Sequence, residues 1–124
     1  LNQVKVIKKY DPDICPISVD IEKIKIAFLN IIVNAVEAMG ENGILEISTS
    51  KKNEKCIVRI ADNGIGMSKS DMNRLFEPYF TTKEKGNGLG LANTQNIILG
   101  HKGSITAESE PGKGTVFTIS FIIS

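Results

Sequence analysis

The sequence is poor in several features that usually announce a function. Among 124 residues there are two cysteines and one histidine. Cys15 and Cys56 lie far apart, with no CxxC and no metal-ligand spacing. That excludes a disulfide scaffold and a zinc site, and predicts reduced thiols in an intracellular setting. Charge of one sign is lacking too: 15 basic residues against 14 acidic leave a formal net charge of +1. So weak a field argues against nucleic acid or a membrane surface as partner. No apolar run reaches the roughly 18 residues needed to span a bilayer, and no signal peptide is recognisable. Repeats and low-complexity segments are absent. Both familiar phosphate loops are missing as well. Counting a dinucleotide fingerprint from Gly86, the third glycine would fall on Leu91, and no strand precedes it. The GKGT beginning at Gly112 is not a Walker A motif, because Gly114 stands where Ser or Thr belongs.

What is present is an ordinary globular composition, 41% hydrophobic and 23% charged. The length suits one domain with its own core. Leu1 already opens a strand-like pattern, so the chain is expected to be a fragment of a longer protein, with residues 1–124 forming a single domain. Residues 4–10 (VKVIKKY) alternate, and DPDICP then breaks the pattern. Asp20 is a plausible N-cap for a long helix reaching about Met39, with Gly40 and Gly43 ending it. Residues 44–50 and 56–61 read as strands, 70–75 as a short helix and 89–99 as a longer one. Residues 104–109 and 114–123 form strands around a PGKG turn. Five strands and two long helices, partly segregated, predict a two-layer α/β sandwich. Its sheet is mixed and mostly antiparallel, with helices on one face, since the last hairpin excludes an all-parallel arrangement.

Three stretches carry chemistry. In IADNGIGM (residues 60–67) a strand ends on Asp62, followed by Gly64 and Gly66. Buried acids need partners, and glycine is costly unless a dihedral or a close approach demands it. Both costs together suggest a ligand. In LNIIVNAVEAM (residues 29–39) Asn30 and Asn34 share a helix face amid residues apolar on nearly all sides. A helix of that kind is expected to be buried, so its amides need partners. They either bond each other or cap a loop, or one is an oxygen ligand for a hard cation such as Mg2+. The long, polar stretch 77–90 contains GNGLGLA, a glycine-rich loop entering a helix. It is either a flexible linker or a phosphate seat at a helix N-terminus, with Lys83 and Lys85 just before it.

In order, NxxxN on a helix, DNGIGM after a strand, FEPYF, TTKEKGNGLGLA and PGKGTVF closely resemble the catalytic ATP-binding domain of bacterial two-component sensor histidine kinases. That domain shares its superfamily, and its Bergerat-type ATP-binding fold, with gyrase, Hsp90 and MutL. The resemblance covers essentially the whole chain. It implies that Asn34, with Asn30, is the N box and that Asn34 holds Mg2+. It implies that Asp62 accepts from the exocyclic amine of adenine, with Gly64 and Gly66 letting the base lie against backbone. Met67, Phe76 and Leu91 would help wall the pocket, and Thr115 would contact the base directly or through water. Gly86, Gly88, Leu89 and Gly90 would belong to a lid around the triphosphate, with Lys83 at the γ-phosphate. Residues 81–88 are expected to be mobile without nucleotide and ordered with it.

Two departures from the family pattern matter. Hydrolysing superfamily members carry a Glu general base one turn before the metal Asn, where this chain has Asn30. Many histidine kinases have a basic residue three positions after that Asn, where this chain has Glu37. The resemblance implies a protein-histidine kinase domain that binds Mg-ATP and supplies its γ-phosphate to a histidine on a separate dimerisation domain. A response regulator would act downstream. Asn30, Asn34 and Lys83 are the candidates for the transfer chemistry. A cytoplasmic domain without membrane contact is implied, whether or not its parent is anchored. His101 has no acid-and-proline context of a phospho-acceptor and is expected to be structural, its protonated ring suiting a helix end. The alternatives are a serine kinase of the anti-sigma type and a non-catalytic ATP-sensing module.

Overall fold

The structure, a computed structural model, describes residues 3–13, 16–80 and 90–123. Its elements run β1 (Val4–Lys9), α1 (Ile21–Ala38), β2 (Gly43–Lys52), β3 (Lys55–Asp62), α2 (Lys69–Met72), α3 (Gly90–Gly100), β4 (Ser104–Glu110) and β5 (Gly114–Ile122). The five strands form one sheet in the order β1-β2-β3-β5-β4. β1 pairs β2 in parallel, across the α1 crossover, and every other pair is antiparallel. The mixed sheet and the strands therefore stand as the sequence pattern predicts.

Alternation in the strands sends one apolar row toward the helices. In β5, Phe117, Ile119 and Phe121 are buried, and Ile60 and Leu45 join them from β3 and β2. α1 answers with Ile24, Ala27, Ile31 and Ala35, one helical stripe facing the sheet. Its start is set by Asp20, whose carboxylate accepts the Lys23 N–H at 3.2 Å. Its end differs from expectation. The helix stops at Met39, which is already extended, before either Gly40 or Gly43. α3 lies against α1, and the fully buried Thr94 hydroxyl donates to the Ala27 carbonyl at 3.4 Å.

α1 is not buried all round. Leu29 is 60% exposed and Val33 44%. The sheet covers one side of the helix and α3 a flank, which leaves a third side open. Cys56 is buried and not in a disulfide, while Cys15 lies outside the described residues. Among the described residues no helix is long and apolar enough to cross a membrane.

The loop after β3 is clamped from two sides. The Ile65 N–H donates to the Ala38 carbonyl at 3.0 Å, satisfying one of the free carbonyls at the end of α1. The Ile65 carbonyl accepts the Gly112 N–H at 2.7 Å, tying the loop to the β4–β5 turn. A Cβ on Gly64 would lie 2.5 Å from the Ala38 oxygen, and one on Gly66 would overlap the Glu110 carbonyl. Gly66 also has φ +71°, in the left-handed region. These glycines thus make room for protein backbone, which binds the loop to the body of the fold.

Gly112 shares the positive φ, at +80°, but has open space where a Cβ would go. Gly112→Ala should therefore cost only the left-handed penalty, about 1–2 kcal/mol. Gly66→Ala should add an overpacking cost and lose roughly 2–5 kcal/mol in all. Urea unfolding of the two variants checks this; equal losses would mean that the Glu110 contact does not constrain the loop.

Candidate functional site

Asp62 closes β3 opposite Leu45 of β2. Its Oδ1 accepts the Gly64 N–H at 2.8 Å and the Thr115 N–H at 3.3 Å. One carboxylate oxygen thereby fastens its own loop and joins the end of β3 to the start of β5. No described residue bonds Oδ2, so that oxygen keeps its lone pairs. Burial pushes the Asp62 carboxyl above the ordinary aspartate value, and the two N–H donors oppose the rise.

Beside it, Thr115 is nearly buried and its hydroxyl meets Ser109 Oγ at 2.8 Å. Ser109 Oγ also accepts the Met67 N–H at 2.8 Å and donates to the Gly114 carbonyl at 2.9 Å. Ser109 had not been singled out in the sequence. A signal was available: it continues the inward alternation of Ile105 and Ala107, so it is a hydroxyl on an apolar face. Met67 is half-buried and packs on the core.

Asn30 and Asn34 sit on the flank of α1, both half-buried. Asn30 Nδ2 donates to the Gly90 carbonyl at 3.3 Å, so it holds the first described turn of α3. That is a cap on a neighbouring segment, one of the partners expected for these amides. Asn34, one turn further, has no hydrogen-bond partner among the described residues. Its amide oxygen is thus free for a ligand. Leu91 packs on the core from the start of α3. Phe76 stands edge-to-face on Phe117, with ring centroids 6.5 Å apart, and so belongs to the core as well. Gly86, Gly88, Leu89 and Lys83 lie outside the described residues, as does the expected mobility of 81–88.

His101 ends α3 in a way the sequence did not anticipate. Its Nδ1 lies 2.7 Å from the Ile97 carbonyl, and its Nε2 accepts the Asp20 N–H at 3.0 Å. A carbonyl cannot donate and an N–H cannot accept, so Nδ1 carries the proton and Nε2 is bare. Both nitrogens are engaged in joining the end of α3 to the start of α1.

The family described as histidine kinase-, DNA gyrase B- and HSP90-like ATPases matches residues 19–123. Sporulation kinase A of Bacillus subtilis is 42% identical over 121 residues, 98% of this chain but 20% of its own length. The signal transduction histidine-protein kinase AtoS of Escherichia coli is 41% identical over 118 residues, 94% of this chain and 19% of its own. The chain thus spans about a fifth of the length of these curated relatives. A nucleotide-free structure of the catalytic domain of histidine kinase ThkA superposes with a TM-score of 0.86 at 30% identity, covering 97% of this chain and 80% of that one. The chain belongs to the histidine kinase-, DNA gyrase B- and HSP90-like ATPase family, as a catalytic domain of the histidine-kinase type.

Proposed function

We propose that this chain binds Mg-ATP and presents the γ-phosphate to a histidine on a separate helical dimerisation domain, as the ATP-binding half of a two-component protein-histidine kinase. The observation that carries the reading is Asp62, with one oxygen fixed by two backbone N–H groups and the other left with its lone pairs. A carboxylate held this way suits the amine of adenine and disfavours the carbonyl of guanine. Asn34 is the candidate metal ligand. Among the described residues there is no cluster of three His, Cys, Asp or Glu side chains that could cage an ion. Mg2+ commonly needs only one or two protein ligands beside substrate phosphates, so a single amide oxygen fits it. When bound there, the ion would supply positive charge to neutralise the triphosphate. Lys83 and the glycines around it would serve the triphosphate.

The remaining residues support transfer over hydrolysis. An amide cannot take a proton from water, and the Asn30 amide is already bonded to Gly90. His101 has both ring nitrogens engaged, which disfavours it as acceptor. The response regulator would receive the phosphoryl group later, from the other domain.

Three outcomes follow from this reading. Asn34→Ala should lose the Mg2+-dependent part of ATP affinity, measured by calorimetry with and without the ion; unchanged Mg2+ dependence would remove Asn34 from the metal site.

Asp62→Asn separates stability from binding. The raised native value means that folding favours the protonated carboxyl. That contribution is present in acid, below the ordinary aspartate value, and is lost as pH rises through the native one. At neutral pH the protein therefore carries a half-buried charge that Asn would not. The variant should melt no lower than the parent at neutral pH, and its relative advantage should shrink in acid. Its ATP affinity should fall roughly 10- to 150-fold, the equivalent of a bond to a charged group. Tight ATP binding by Asp62→Asn would place the base elsewhere.

The isolated chain should bind ATP yet hydrolyse it very slowly and scarcely label itself. Adding the helical domain of its parent should bring label onto a histidine there. Radiolabelled ATP tests this with the chain alone, with His101→Ala, and with the helical domain. Strong label on the chain alone that vanishes in His101→Ala would make His101 the acceptor and overturn the proposal.

A further inference from the structure

The three contacts of Ser109 Oγ determine where each proton goes. A serine hydroxyl has one proton and two lone pairs. The Met67 N–H, at 2.8 Å, takes one lone pair. The Gly114 carbonyl, at 2.9 Å, has no proton to give, so it must receive the one from Ser109. Thr115 Oγ1, at 2.8 Å, is then left with one role, donating its own proton into the second lone pair. The reverse assignment, with Ser109 donating to Thr115, forfeits the contact with Gly114. Thr115 has thus spent its single proton inside the protein. Whatever ligand meets its oxygen meets lone pairs alone.

The strand beside it has the same polarity. The Thr115 N–H is spent on Asp62 Oδ1, and Oδ2 also carries lone pairs alone when ionised. Two acceptors stand at the junction of β3 and β5. A threonine with a free rotor could turn its proton toward a carbonyl and tolerate the wrong base. A threonine held by Ser109 cannot do so without breaking the bond.

We infer that Ser109 is a specificity-determining positioning residue, which consumes the Thr115 proton and so fixes the Thr115 oxygen as an acceptor toward the purine 6-substituent, favouring an amine there over a carbonyl. This rests on the proposed adenine site. Ser109 acts through Thr115 and does not itself touch the nucleotide.

The test compares the affinities of the full chain for ATP and for inosine triphosphate, in which the amine is replaced by a carbonyl. Ser109→Ala frees the Thr115 proton, and the ATP-to-ITP affinity ratio should fall about fivefold, the worth of one neutral hydrogen bond. Ser109→Thr keeps the hydroxyl and should keep the parental ratio. In a Thr115→Val background, Ser109→Ala should change the ratio no further. A parental ratio in Ser109→Ala, or an equal loss for both nucleotides, would overturn the inference by making Ser109 merely structural. If Ser109→Ala fails to fold, Thr115→Val decides alone, and a parental ratio there overturns it. The adenine site is tested separately by Asp62→Ala. If that variant loses ATP affinity while Ser109→Ala leaves the ratio intact, only the role of Ser109 falls. If the parent does not bind ATP, both fall.

Discussion

The carboxylate of Asp62 is the joint on which the site depends. Its Oδ1 takes one N–H from Gly64, which turns the chain out of β3, and one from Thr115, which begins the inward row of β5. The second of these bonds crosses 53 residues of sequence and brings the end of β3 and the start of β5 to one point. The arrangement is costly, because burial raises the carboxyl above its ordinary value even with two donors on it. A neutral amide could accept both N–H groups equally well. What the acid adds is a second oxygen with negative charge and no described partner. The fold bears a local penalty that packing alone does not require, which is the usual mark of a binding group.

The glycines beside it work for the same joint by a different means. The sequence suggested that Gly64 and Gly66 let the chain turn and leave backbone open to a ligand. Gly66 has the left-handed turn conformation, and the missing side chains of both make room for the Ala38 and Glu110 carbonyls. The loop is thereby pressed between the end of α1 and the β4–β5 turn, with Ile65 bonded to both. A loop free to move would let Asp62 swing. Close backbone contact on two sides holds it, and Ser109 extends the hold to Met67 and Thr115. Rigidity around Asp62 thus comes largely from main chain, where few substitutions can loosen it.

Much of this was legible from residue order. Period-two patterns located all five strands, and Asp20 marked the helix start to the residue. Asp62 stood out because an acid at the end of an apolar strand is improbable without a purpose. What escaped was anything set by a neighbour distant in sequence. The exposure of Leu29 and Val33 depends on how much of α1 the sheet and α3 cover, and no local pattern states that. That Met67, Gly114 and Thr115 converge on Ser109 is likewise set by neighbours that local alternation does not reveal. The second partner of the His101 ring was hidden for the same reason: the Asp20 N–H lies 81 residues away.

One pattern joins the two ends of the molecule. At Asn30 the side chain that could face water is an amide, and it is bonded to the Gly90 carbonyl. At His101 both ring nitrogens are bonded to backbone. Each residue stitches α1 to α3, one near the start of α3 and one at its end. The amide at the position of a hydrolytic base and the one imidazole are therefore both used as cross-braces. Asp62 and Asn34, by contrast, each keep an oxygen that no described residue engages. Bracing where reaction with the wrong acceptor would be wasteful, and open oxygens where a nucleotide and its ion would be held, is the division expected of a domain that stores a reactive group for another to take. The helices are thus joined by side chains that leave no general base between them, since the amide cannot take a proton from water at all and the imidazole would have to give up a structural bond to do so.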